Sequence, residues 1–128
     1  MLQSWQYRLR AGFGAALTLA TWIALRPITA DEWFSGQDKL LHLAAYVSFY
    51  LWGGVSFPDA RWRLPAVLLA YGVAIELLQS LTPYRTMSLA DVVANALGLV
   101  LGAVLLRVAR RRWPGWWLVG QGSESRCR

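Results

Sequence analysis

The side chains best equipped for chemistry are one imidazole and two carboxylates: His42, Glu76 and Asp91. Charged and amide companions stand close to them in sequence. Asp38 and Lys39 precede His42, Gln79 follows Glu76 by three residues, and Asn95 follows Asp91 by four. Arg85 lies between the two groups. On helices, the pairs Asp38/His42, Glu76/Gln79 and Asp91/Asn95 would each occupy one side. His42 can act as a base, a proton relay or a ligand. Glu76 sits in an apolar run, where a carboxylate is costly unless protonated, paired or wet. Catalytic candidates are therefore Glu76, His42 and Asp91, working as general acid or base on a proton within reach. The wider polar cluster comprises Asp38, Lys39, His42, Glu76, Gln79, Arg85, Asp91 and Asn95.

Each residue also has a structural reading. His42 can simply hydrogen-bond to a neighbouring helix. Glu76 can pair with Arg85 or Lys39 and lock a hairpin. Ser88 followed by Asp91 resembles the start of a capping box, and a carboxylate there suits a helix N-terminus. Gln79 and Asn95 can bridge helices. His42, Glu76 and Asp91 are ligand types, but their spacing matches no recognised metal motif, so neither metal nor cofactor is expected. There is no P-loop, no GxSxG elbow and no Cys–His pair.

What must position these groups is a set of apolar helices. The chain is 56% apolar and 16% charged, against roughly 25% charged in soluble domains. Its length of 128 residues suggests one domain. The charges cluster and leave charge-free runs that are apolar nearly all round, as bilayer spans are. Four spans are expected, over residues 11–28, 40–57, 64–82 and 89–106. They form an all-α integral membrane four-helix bundle with short hairpin connections. This domain covers residues 1–112, followed by a basic, aromatic-containing tail over 113–128. Trp113, Trp116, Trp117 and Arg110 to Arg112 read as an interfacial anchor. A cleaved signal peptide ending at Ala30 is the rival reading of the first run. Ile28 is a poor residue two places before such a cut, so a retained span is the reading taken. Cys127 has no partner for an internal disulfide.

Orientation follows from the basic residues. Arg8, Arg10, Arg61, Arg63 and the six arginines after Leu106 lie on one side of such a bundle; Arg26, Lys39 and Arg85 lie on the other. Ten against three places both termini in the cytoplasm. The second and fourth spans then enter from outside and the third exits there. His42, Glu76, Asp91 and Asn95 thereby fall in the outer third of the membrane, on three helices. Asn95, Gly98 and Gly102 continue one stripe, and the two glycines permit close packing.

The ordered set Asp38-Lys39-x-x-His42, Glu76-x-x-Gln79, Arg85, Asp91-x-x-x-Asn95 and Gly98 resembles the VanZ-like family of small bacterial membrane proteins. The likeness covers about residues 37–102. It implies a four-helix domain of the cell envelope, in the bacterial inner membrane, in a family whose named member is associated with teicoplanin resistance. The first expectation is a non-enzymatic envelope protein with a polar pocket near the outer face. It would bind an envelope lipid, a glycopeptide or a partner, with Lys39 and Arg85 holding an anionic group. The alternative is a membrane enzyme acting on a lipid-linked or cell-wall precursor. Proton-coupled transport ranks third, since four spans are few unless chains assemble into a homo-oligomer. The bilayer is the expected partner. The net charge of +6 sits where a topology signal sits, so no nucleic acid is expected.

Overall fold

The computed structural model describes residues 2–27, 36–83 and 87–114. All regular structure among them is helical: α1 (Leu2–Ala24), α2 (Gln37–Ser56), a single 3₁₀ turn (Pro58–Ala60), α3 (Leu64–Ser80) and α4 (Leu89–Arg112). Two helices outrun the apolar runs that announce them. α1 includes Leu2 to Arg10, and α4 continues through Arg107 to Arg112, because leucine, glutamine and arginine are good helix formers whatever their charge. Prolines and a glycine mark the ends. α1 stops before Arg26-Pro27 and α4 before Trp113-Pro114, since the residue preceding proline avoids helical geometry. α2 begins after Gly36, whose φ of 88° lies in the left-handed region that glycine tolerates. Pro65 stands in the first turn of α3, where a missing N–H costs nothing.

Contacts fix the directions. Phe13 of α1 meets Phe49 and Trp52 of α2 edge-on, at 6.4 Å between ring centres in both pairs. The Trp52 indole donates to the Leu9 carbonyl at 3.1 Å. These pairings make α1 and α2 antiparallel. α2 and α3 are antiparallel as well, with Gly53 against Leu64 and Tyr46 over Gly72. α2 and α4 run parallel and share the broadest interface of the bundle. Along it Gly98 lies under Leu43, Gly102 under Val47 and Tyr50, and Gly54 under Leu106.

The bundle has two chemically different ends. At one, arginines meet the C-terminus of α2. Arg10 donates to the Ser56 carbonyl at 3.1 Å and Arg110 to the Gly54 carbonyl at 3.3 Å. The last carbonyls of a helix lack partners and carry its negative end, so guanidinium donors are doubly suited to them. The other end collects the C-terminus of α3 and the N-termini of α2 and α4, and with them His42, Glu76, Asp91 and Asn95.

An apolar core of Phe13, Tyr46, Phe49, Leu68 and Leu99 is accompanied by buried polar groups and by large exposed apolar ones. Leu19, Leu41, Val67, Leu77, Val100 and Val104 are each more than half exposed, whereas Glu76 and Asn95 are 1% exposed. Among the described residues α4 is long and apolar enough to cross a membrane, and α3 is a shorter apolar helix.

Ser88 starts α4. It is extended, and its Oγ accepts from the Asp91 N–H at 3.3 Å. Ser88→Ala should therefore cost about 1 kcal/mol, read as a lower thermal midpoint in detergent, with Ser88→Thr close to wild type. Equal midpoints for all three proteins would show that this cap contributes nothing.

Candidate functional site

Glu76 completes the start of α4 from outside that helix. In a capping box the residue three places into the helix returns a carboxylate to the backbone N–H of the cap. Here Oε2 of Glu76, on α3, accepts that hydrogen bond from Ser88 at 3.1 Å. Asp91, which holds the third position, is released from the task. Its carboxylate points towards α2: Oδ2 lies 3.9 Å from His42 Nε2, and Oδ1 lies 4.0 Å from Lys39 Nζ.

His42 is held by Asn95. The imidazole Nδ1–H donates to Asn95 Oδ1 at 3.1 Å. This orientation leaves Nε2 as the atom facing Asp91. Asn95 is itself pinned over Gly72, where an added methyl would lie 2.8 Å from its amide nitrogen and against the Tyr46 hydroxyl. Glycine at position 72 thus makes the room in which the Asn95 amide sits. Tyr46 is 4% exposed. It belongs to this end of the bundle, and nothing in its linear context distinguishes it from a core aromatic.

The remaining predicted residues occupy the rim or the neighbouring helix. Lys39 donates to Asp38 at 3.0 Å, and this bond holds the Asp38 carboxyl below the ordinary range. Both are substantially exposed. Lys39 therefore bridges the exposed Asp38 and the buried Asp91. Gln79 donates to the Ala24 carbonyl at 2.8 Å and so satisfies one of the open carbonyls at the end of α1. Arg85 lies outside the described residues, as do Trp116, Trp117 and Cys127.

The structure thus brings His42, Glu76, Asp91 and Asn95 together from three helices, although their linear spacing presents no ligand or catalytic motif. One ligand atom from each of His42, Glu76 and Asp91 lies within 4.8 Å of the others. Among the described residues, Glu76 Oε1 and Asp91 Oδ1 are buried and make no hydrogen bond. The arrangement can accept protons or hydrogen bonds, or surround a cation. The family model VanZ/LLP1 matches residues 4–110, a range that contains all of these groups. No curated protein and no solved structure matches the chain.

Proposed function

The chain belongs to the VanZ/LLP1 family, and from that premise we propose a multi-pass protein of the bacterial inner membrane that binds an envelope component at a polar site near the outer face. All four helices cross the bilayer in this reading, with both termini in the cytoplasm. The arginine-rich end faces inwards and the His42/Glu76/Asp91/Asn95 end faces outwards, as the positive-inside rule demands. The observation that carries the reading is the convergence of those four side chains from three helices, two of them 1% exposed, inside a shell of exposed apolar residues. Ionisable groups so placed usually serve a site rather than the fold. Lys39 stands at its rim and offers a cation to a phosphate or carboxylate entering from the water side.

The test is direct titration of the purified protein in nanodiscs with an anionic phospholipid, a polyprenyl-phosphate precursor and teicoplanin. At least one should bind saturably, and Asn95→Leu should weaken it by about 1–3 kcal/mol if the orphaned imidazole partner is part of the site. A link to teicoplanin resistance predicts a susceptibility difference between cells with and without the chain. If no ligand binds, and a scan of Asp38, His42, Glu76, Arg85, Asp91 and Asn95 changes neither growth nor drug or envelope-stress sensitivity at equal abundance, the proposal falls.

One observation favours the enzymatic alternative. The Asn95 amide orients His42 so that Nε2 faces a carboxylate, which is how a third group positions an acid–base residue. In that reading the same site acts on a lipid-linked or cell-wall precursor. Product formation from such a precursor, absent in Glu76→Gln, would select it over simple binding.

A further inference from the structure

Three independent features of the polar end point to a bound cation. The first is geometry. Ligands on one zinc at roughly 2.0–2.2 Å stand about 3.3–3.6 Å apart at the tetrahedral angle. His42 Nε2 and Asp91 Oδ2 are 3.9 Å apart, and Glu76 completes a set whose ligand atoms lie within 4.8 Å of one another. Inward movement of about an ångström, within the reach of side-chain rotation, would place all three on one ion.

The second feature is the imidazole. A metal-bound histidine nearly always donates its other ring N–H to a carbonyl or carboxylate, which fixes the tautomer and aims the lone pair. His42 does this through Nδ1–H to Asn95 Oδ1 at 3.1 Å. Nε2 is then the ligating atom, and it is the one facing Asp91.

The third is charge. Glu76 is 1% and Asp91 8% exposed, and each has one buried oxygen without a hydrogen bond among the described residues. Lys39 Nζ reaches no closer than 4.0 Å to Asp91 and is bonded to Asp38. Two adjacent buried carboxylates repel each other, and burying a second negative charge beside the first is unfavourable unless it is matched. A divalent cation matches both carboxylates at once while a neutral imidazole supplies the third bond.

We infer that His42, Glu76 and Asp91 bind one divalent cation per chain, with Asn95 as the positioning residue behind the imidazole. One nitrogen and two carboxylate ligands suit zinc or manganese; magnesium prefers oxygen throughout, and this set offers no thiolate to favour copper(I). Three protein ligands leave a coordination position for water or for an anionic oxygen of a bound ligand. The inference rests on the polar site of the envelope-binding reading and adds a cation to it.

The experiment uses the full chain, tag removed, in detergent. Metal content of the protein as purified is measured first. The chelated protein is then titrated with zinc and with manganese, following thermal midpoint and bound metal. One equivalent per chain and a saturable rise in midpoint are expected. His42→Ala and Asp91→Asn should weaken binding at least about 100-fold, and Asn95→Leu about 10–100-fold, with helicity by circular dichroism confirming that each variant folds. Absence of stoichiometric binding by the wild-type chain, whatever the variants do, overturns the inference, as does binding that survives loss of both His42 and Asp91. Envelope ligands are titrated in parallel. Ligand bound equally well by chelated and loaded protein removes the cation from that role and leaves the envelope-binding reading standing. Metal bound one to one with no envelope ligand supports the cation and removes the other.

Discussion

Gly98→Leu should deplete folded protein from the membrane, while Leu97→Ala, one residue away, should leave it near wild type. A methyl on Gly98 would lie 2.6 Å from the Leu43 carbonyl oxygen and 2.8 Å from Tyr46 Cβ. Neither atom can rotate aside, because the first is helix backbone and the second is fixed to it. α2 and α4 must separate instead. Overpacking of a tight core costs about 1–3 kcal/mol, and occasionally more; an entire isobutyl group at this contact belongs at the upper end. Stability margins are only about 5–15 kcal/mol in total, so the loss is visible in both abundance and thermal midpoint. The parallel α2/α4 interface also carries His42 against Asn95, and separation of the helices breaks that bond. Gly54→Ala should be milder, since the group its methyl meets is the far end of the Leu106 side chain, which can turn. Leu97 is 54% exposed and faces away from this seam. A Gly98→Leu protein with wild-type abundance and midpoint would mean that the two helices do not touch there.

The helical class and the glycine seam were readable in the chain, because both depend on local pattern. Apolar runs broken by prolines define the helices, and Asn95, Gly98 and Gly102 share a stripe by spacing alone. The full lengths of α1 and α4 were less readable. Their arginines look like topology signals in a linear count, yet arginine extends a helix as readily as leucine does. The partners across helices were not readable at all. Spacing tells which residues share a face, but the rotation of each helix about its axis decides what that face meets. Glu76 illustrates the limit. An ion pair with Lys39 was one sequence-based reading, whereas the structure pairs Lys39 with Asp38 and gives Glu76 the backbone N–H of Ser88. Gln79, three residues on, is bonded to Ala24 at the end of α1. His42 and Asp91 meet for the same reason: Glu76 has taken over the capping duty that local sequence assigns to Asp91.

Glu76→Gln and Glu76→Leu should separate what this residue does for the fold from what it does for the site. Oε2 accepts from Ser88 N–H at 3.1 Å, at the N-terminus of α4, where negative charge interacts favourably with the helix dipole. Glutamine keeps an acceptor oxygen and the side-chain length, so the bond survives and only the charge interaction is lost, about 0.3–1 kcal/mol and up to about 2 in partly buried sites. Leucine has a similar bulk but no acceptor. Ser88 N–H is then left without its partner beside a buried cluster, at about 1–3 kcal/mol, added to the lost charge interaction. The fold should therefore tolerate glutamine and suffer with leucine. The site should tolerate neither. The second carboxylate is what makes the His42/Glu76/Asp91 group able to attract a cation or move a proton, and an amide does neither well. Glu76→Gln is expected to show near-normal abundance and helicity together with loss of the envelope phenotype, of any turnover, and of at least about 100-fold in metal affinity. Abundance from membrane blots, midpoint in detergent and phenotype in cells expressing matched levels are the readouts. Should Glu76→Gln keep every activity, the carboxylate is a helix cap and nothing more. Should it unfold as badly as Glu76→Leu, the charge serves the bundle itself, and the side chains around it must be tested for function one at a time.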